Sequence, residues 1–148
     1  MRIAMLAGLC VLLAIQPCFA EWPIAPAFDP SANCPQYPSH AGNWSDWESY
    51  RQQLDQFLND KLEAFWTFVN TTYRVSLERQ RETLDSELNS RKITLTEYKV
   101  GLDQYRAGIA KINTELHGLY ELGVHRYREG IGLYETAMKR LGEDASTD

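Results

Sequence analysis

The sequence predicts an all-α protein: a long antiparallel helical hairpin of coiled-coil type, preceded by an extended arm rich in proline and aromatic residues. Three observations lead to this prediction. No proline follows Pro38. Beyond residue 44, apolar side chains recur at steps of three and four, as on one face of a helix. Two helix-start motifs flank a polar stretch near residue 90, which predicts a turn there.

The first twenty residues have the three parts of a cleavable secretory signal peptide. Arg2 supplies the positive charge, an apolar stretch runs from Ile3 to Ile15, and a small residue, Ala20, marks the cleavage site. The apolar stretch is shorter than the roughly 20 residues that a transmembrane helix needs. We therefore expect export, to the periplasm in a bacterium and otherwise by secretion, with no membrane insertion after cleavage.

Residues 21–43 form the predicted arm, and five prolines lie within them. Proline fixes φ and removes a hydrogen-bond donor, so this segment is predicted to be irregular and extended. Its aromatic residues Trp22, Phe28 and Tyr37 indicate that it packs along the domain, with a disordered arm as the alternative. Cys34 is the only cysteine after the signal, and it predicts either an unpaired thiol or an intermolecular disulfide.

Two helices, about 45–90 and 94–142, follow the arm. Ser45 and Glu48 match the capping-box pattern for the first start, and Thr94 and Glu97 repeat it for the second. The polar residues between the helices predict a turn at about 90–94. The last residues, 143–148, are predicted to be a disordered tail.

The apolar positions of the two segments match when the numbers of facing residues sum to about 186, as in Leu62 with Val124. On the second helix, four glycines are then predicted to receive bulky side chains from the first. These are Gly118, Gly123, Gly130 and Gly132. The alternative is a bend near Asn70 and Gly118, which would fold the hairpin over into a four-helix bundle.

Several large apolar residues lie outside the stripe that a two-helix coiled coil requires, so the apolar face is wide and must be covered. They are Phe57, Trp66, Phe68, Leu119, Leu122 and Leu133. The arm, a second hairpin in a four-helix dimer, and a partner protein are the three candidates for covering them. We expect self-association as a homodimer and assign these six residues to a protein-interaction site.

No cofactor or catalytic site is predicted, because nucleophile motifs, phosphate loops and metal-ligand signatures are missing from the sequence. His117, Glu121 and His125 share a helical face, but the two histidines are two turns apart and each precedes a glutamate by four residues. That spacing is typical of surface ion pairs, and a metal site is the minor alternative. Losing Arg2 with the signal changes the formal net charge from −5 to −6, which argues against nucleic acid as a partner.

These features predict an exported, non-enzymatic interaction protein, a subunit or accessory factor of a cell-envelope or secretion assembly. The first alternative is a chaperone. Small all-helical exported proteins with apolar grooves resemble periplasmic chaperones of the Spy and CpxP type, and Leu95-Thr96 matches the start of their LTxxQ motif, with Lys99 in place of Gln. The second alternative is a metal-binding sensor or buffer that uses the histidine stripe.

Overall fold

The computed structural model describes residues 21–146 and confirms the all-α helical hairpin. One helical turn, α1 (Pro30–Asn33), interrupts the arm. Two long helices follow, α2 from Trp44 to Asn89 and α3 from Leu95 to Ala145, joined by a short loop. Wide π-helical turns lie within both. In α2 they are Phe57–Glu63 and Val69–Tyr73, and in α3 there is one, Ile112–Leu116.

Reciprocal capping boxes begin both long helices. Thr94 and Glu97 form the box of α3 as predicted: the Thr94 N–H donates to Glu97 Oε2 at 2.7 Å, and the Glu97 N–H donates to Thr94 Oγ1 at 3.2 Å. The box of α2 uses Asn43 and Asp46, not the predicted Ser45 and Glu48. Asparagine is at least as good an N-cap as serine, and the cap of α2 lies two residues earlier than predicted.

The hairpin turn lies where it was predicted. At the end of α2, the Lys92 N–H donates to the Glu87 carbonyl at 2.8 Å and the Arg91 N–H donates to the Leu88 carbonyl at 3.0 Å, the two bonds of a Schellman cap. Arg91 has a φ of 58°, in the left-handed region. Helix α3 continues to Ala145, so the tail predicted for 143–148 is helical at its start, and 147–148 lie outside the described residues.

A seam of bulky residues on α2 packs against a seam of mostly small residues on α3. From the turn to the free ends the facing pairs are Leu84 with Gly101, Leu77 with Gly108, Val69 with Leu116, Leu62 with Gly123, Leu54 with Gly130 and Trp47 with Ala137. Their numbers sum to 185, and to 184 in the last two pairs. The predicted sum of about 186 is therefore slightly too high, because four leucines of α2 face glycines and not the leucine, isoleucine or valine that follows each glycine.

The π turns keep this seam in register. Its residues are seven apart, except for Leu54 to Leu62 and Val69 to Leu77 on α2 and Gly108 to Leu116 on α3, which are eight apart. Each step of eight contains one π turn, which takes up the extra residue without a break. The alternative, a fold-over into four helices, is not seen, since both helices continue past Asn70 and Gly118.

The glycine prediction is half confirmed. Gly123 and Gly130 face Leu62 and Leu54, and a Cβ at Gly130 would lie 2.6 Å from a methyl carbon of Leu54. A Cβ at Gly118 or Gly132 would meet nothing within 4 Å, so those two predictions are wrong. The sequence pattern places all four glycines in the contact, whereas these two lie away from α2.

The arm packs along one side of the hairpin, as its aromatic residues predicted. Trp22 and Phe28 lie against the central core cluster, and the Phe28 ring stacks on Phe65 with centroids 4.6 Å apart. Pro30 is fully buried. At the base of the hairpin, Arg140 Nη2 donates to the His40 carbonyl at 2.8 Å, which fixes the end of the arm.

Candidate interaction surface

The two flanks of the seam differ. We call the flank covered by the arm the arm side, and the opposite flank the tyrosine side. On the tyrosine side, five tyrosines of α3 each donate a hydrogen bond to a carboxylate of α2. The pairs are Tyr98 with Asp85 at 2.8 Å, Tyr105 with Glu78 at 3.2 Å, Tyr120 with Glu63 at 2.9 Å, Tyr127 with Asp55 at 3.2 Å and Tyr134 with Glu48 at 2.7 Å. Each of these hydrogen bonds thus joins α3 to α2.

These hydrogen bonds were not predicted, although the sequence carries their signal. The tyrosines each precede a small seam position by three residues, and the numbers of the bonded pairs sum to 182 or 183. The hydrogen bond to Asp85 raises the pKa of Tyr98, and that to Glu48 raises the pKa of Tyr134. For Tyr120, burial is the larger cause and the bond to Glu63 the next.

Further contacts occupy the tyrosine side. Trp66 stacks on Tyr120 with ring centroids 5.1 Å apart, and the Arg81 guanidinium lies 5.6 Å from the centroid of Tyr105. Arg51 forms an ion pair with Asp55. The aromatic and charged groups of this flank are therefore already engaged with one another.

Large apolar residues stay exposed on the arm side. Phe68 and Leu133 are 45% and 42% exposed and line grooves beside the arm. Leu122 is 39% exposed. Leu119, three residues before it, packs on the core, and Arg126, four residues after it, lines an arm-side groove. Residues three or four apart share a helical face, so Leu122 belongs to the arm side. We call Phe68, Leu122 and Leu133 the arm-side patch.

Of the six predicted interaction residues, only these three are exposed. Phe57 is 2% exposed and is a core residue. Trp66 is half-buried on the tyrosine side, and Leu119 is half-buried against the central core cluster. The apolar face is smaller than the sequence suggested because the arm covers part of it, including Phe65.

Two grooves flank the arm. One, of about 550 Å³, lies between the arm and α2 and includes Phe28, Phe65 and Phe68. The other, of about 1070 Å³, lies between the arm and α3, near the free ends of the hairpin. We call this second one the base groove. Its lining residues are Ser31, Cys34, Pro35, Gln36, Tyr37, Tyr50, Arg126, Glu129, Gly130, Gly132, Leu133 and Thr136.

Cys34 is half-buried and unpaired in the base groove. Burial raises the pKa of its thiol; Arg126 lowers it in part, and Glu129 adds to the rise. A raised pKa keeps the thiol protonated, and thiol–disulfide exchange requires the thiolate. The intermolecular disulfide therefore stays a prediction, with slow exchange expected at neutral pH.

The histidines form two separate pairs on exposed α3. His117 Nε2 lies 3.6 Å from Glu121, and His125 Nε2 lies 3.3 Å from Glu129. Among residues 21–146, no three His, Cys, Asp or Glu side chains converge as metal ligands would. The candidate metal ligands thus lie in surface pairs, His117 with Glu121 and His125 with Glu129.

Neither the models of known protein families, nor curated proteins, nor solved structures gave a match to this chain. In the part of the chain that the structure describes, no helix combines the length and apolar character needed to cross a membrane. A proposal for the function therefore rests on the exposed surface of the hairpin.

Proposed function

We propose that this protein is an exported, non-enzymatic interaction protein, a subunit or accessory factor of a cell-envelope or secretion assembly, which binds its partner on the arm side. The observation that carries the proposal is the contrast between the flanks. The arm-side patch keeps three large apolar residues exposed beside open grooves. On the tyrosine side, each of the five tyrosine hydroxyls is bonded to a carboxylate.

The exposed area supports a contact of useful strength. Fully burying one large apolar side chain contributes about 1.5–3 kcal/mol. Each patch residue still exposes about two-fifths of its surface, so covering it would contribute roughly 1 kcal/mol. Large apolar residues that stay exposed along one flank, beside open grooves, are a feature of protein contact sites.

The shape of the hairpin also supports a binding role. At 1.5 Å per residue, α3 is roughly 75 Å long. A rod of this length presents a patch along its side, and the grooves beside the arm are open to solvent. Such surfaces suit contact with another macromolecule better than enclosure of a small substrate.

Site-specific photo-crosslinking in the producing cells tests the proposal. Benzoylphenylalanine placed at Phe68, Leu122 or Leu133 should give adducts of one or two defined masses, including twice the protein's own mass if the homodimer forms. Glu135, exposed on the outer face of α3, is the matched control position and should give none. Absence of adducts from all three patch positions, or equal adducts from Glu135, would overturn the proposal.

The same experiment separates the subunit from the chaperone. A chaperone of the Spy and CpxP type would crosslink to many unrelated proteins. It would also suppress aggregation of unfolded proteins at a near-stoichiometric ratio. That result would replace the subunit proposal, whereas one or two discrete adducts without aggregation suppression would support it.

A further inference from the structure

The base groove contains a tyrosine hydroxyl that lacks a protein partner among the described residues. Tyr50 is 4% exposed and lines the groove, yet no hydrogen bond engages its hydroxyl within 21–146. The oxygen lies over Gly130, where a Cβ would be only 2.7 Å away. The hydroxyl is therefore free to donate, and a ligand that supplies an acceptor here would gain one hydrogen bond.

The groove has balanced charge. Its lining contains one cation and one anion, Arg126 and Glu129, which pair with each other at 3.4 Å. The other polar groups of the lining are neutral hydroxyl, amide and thiol groups, and Leu133 adds an exposed apolar surface. A charged ligand would lose hydration without gaining an unpaired counter-charge, so the lining favours an uncharged one.

One wall of the groove is an open backbone edge. Gln36 and Tyr37 lie outside the helices, and no hydrogen bond engages the backbone of either residue within the described chain. Tyr37 precedes Pro38, a position that favours extended backbone. An extended segment with free N–H and C=O groups is a template for pairing with a second extended segment.

The dimensions suit a short stretch of polypeptide. Along α3 the groove extends from Arg126 to Thr136, about 15 Å at 1.5 Å per residue. An extended chain covers this length with roughly five residues, at about 3.3 Å each. The volume of about 1070 Å³ is at the upper end of small-molecule pockets, which are roughly 300–1000 Å³.

We propose that the base groove binds an extended, uncharged segment of a partner polypeptide, which pairs with the arm backbone at Gln36 and Tyr37 and accepts a hydrogen bond from the Tyr50 hydroxyl. The proposal rests on the proposed function and names the chemistry of the partner. An aliphatic side chain of the segment would lie on Leu133, and the open backbone at Gly132 would form part of the floor.

A phage-displayed library of eight-residue peptides, selected against the purified protein, tests this inference. The enriched peptides should contain uncharged stretches, and one of them, synthesised with a fluorescent label, serves as the probe for anisotropy titrations. Gly132→Leu should weaken its binding at least tenfold, because the new side chain would fill the groove. Tyr50→Phe should weaken it about two- to tenfold, the range for one neutral hydrogen bond.

Gly118→Leu is the matched control. Gly118 and Gly132 both lie in α3 with open space around a built Cβ, but only Gly132 lines the groove. Helicity should be preserved in both variants, and only Gly132→Leu should affect binding. Failure to enrich any peptide, enrichment of charged peptides, or equal loss in both variants would overturn the inference. Crosslinks from Phe68 and Leu122, outside the base groove, would persist in that case if the proposed function is correct.

Discussion

The two flanks of this hairpin are closed by different means. On the tyrosine side, side chains of α2 and α3 bond to each other directly, through five phenol–carboxylate contacts. On the arm side, the arm lies over the helices and covers apolar residues by packing on them, as Phe28 does on Phe65. Direct bonding leaves little unused surface, whereas an overlaid segment leaves grooves at its edges. The difference explains why the candidate interaction surface lies beside the arm.

The first prediction compares one residue from each flank at nearly the same height. Phe65 is 7% exposed, and replacing a buried phenylalanine by alanine typically costs 3–5 kcal/mol. Phe65→Ala should therefore lower the free energy of unfolding by about that amount, measured by urea denaturation. It should also release the arm, because the ring beneath Phe28 is lost, and limited proteolysis within residues 22–28 should accelerate.

Tyr120→Phe is the partner variant on the tyrosine side. It removes the hydroxyl that donates to Glu63 but keeps the ring that stacks on Trp66. The expected loss is about 0.5–1.5 kcal/mol, the net value of one hydrogen bond. If Tyr120→Phe destabilised the protein as much as Phe65→Ala, the view that the arm side depends on apolar burial and the tyrosine side on modest hydrogen bonds would be wrong.

The second prediction concerns the seam that both flanks share. A Cβ at Gly123 would overlap a methyl carbon of Leu62, a core residue with 0% exposure. Overpacking a core typically costs 1–3 kcal/mol, which exceeds the roughly 1 kcal/mol that alanine gains over glycine in a helix. We expect Gly123→Ala to lower the thermal midpoint.

Gly118→Ala, on the same helix, should change the thermal midpoint in the opposite direction. Nothing lies within 4 Å of a Cβ there, so only the helix-propensity gain of up to about 1 kcal/mol applies. The thermal midpoint should rise, and circular dichroism melts of both variants measure the difference. A rise for Gly123→Ala would mean that the helices separate easily and that the glycines do not set their distance.

The hairpin could be predicted from the sequence because the patterns that indicate helices and turns are local. The Thr94 capping box and the apolar steps of three and four depend on residues close together in the chain, and the structure has both. The register was wrong by one or two because it depends on which residue, Gly123 or Val124, faces Leu62 across the seam. The distance between the helices decides which residue faces Leu62, and the periodicity of apolar residues does not determine that distance.

The candidate surface was harder to predict for the same reason. Phe57 and Phe68 look alike in the sequence, but Phe57 is in the core and Phe68 is exposed. Their difference depends on where the arm lies, a contact between segments about 40 residues apart. The tyrosine–carboxylate pairs could have been found, since both partners follow the seam at fixed offsets once the register is known.

The last prediction uses alkaline pH to compare the causes of raised tyrosine pKa values. Burial raises the pKa of Tyr50, on the arm side, above the ordinary 10.0, while the hydrogen bond to Glu48 is the main cause for Tyr134. Above pH 10 the unfolded chain loses phenol protons that the folded protein keeps. The unfolded state then binds fewer protons, so the free energy of unfolding falls as pH rises through the folded pKa values.

Glu48→Gln separates the two causes. The amide keeps an oxygen that accepts from the Tyr134 hydroxyl but removes the negative charge that opposes tyrosinate formation. Tyr134 should then titrate closer to 10, while Tyr50 should be unchanged, as followed by ultraviolet absorbance of tyrosinate in Tyr134→Phe and Tyr50→Phe backgrounds. Because Tyr134 is only partly buried, the shift should be small and should shrink with added salt. A salt-insensitive Tyr134 titration that Glu48→Gln leaves unaltered would show that burial governs both flanks alike.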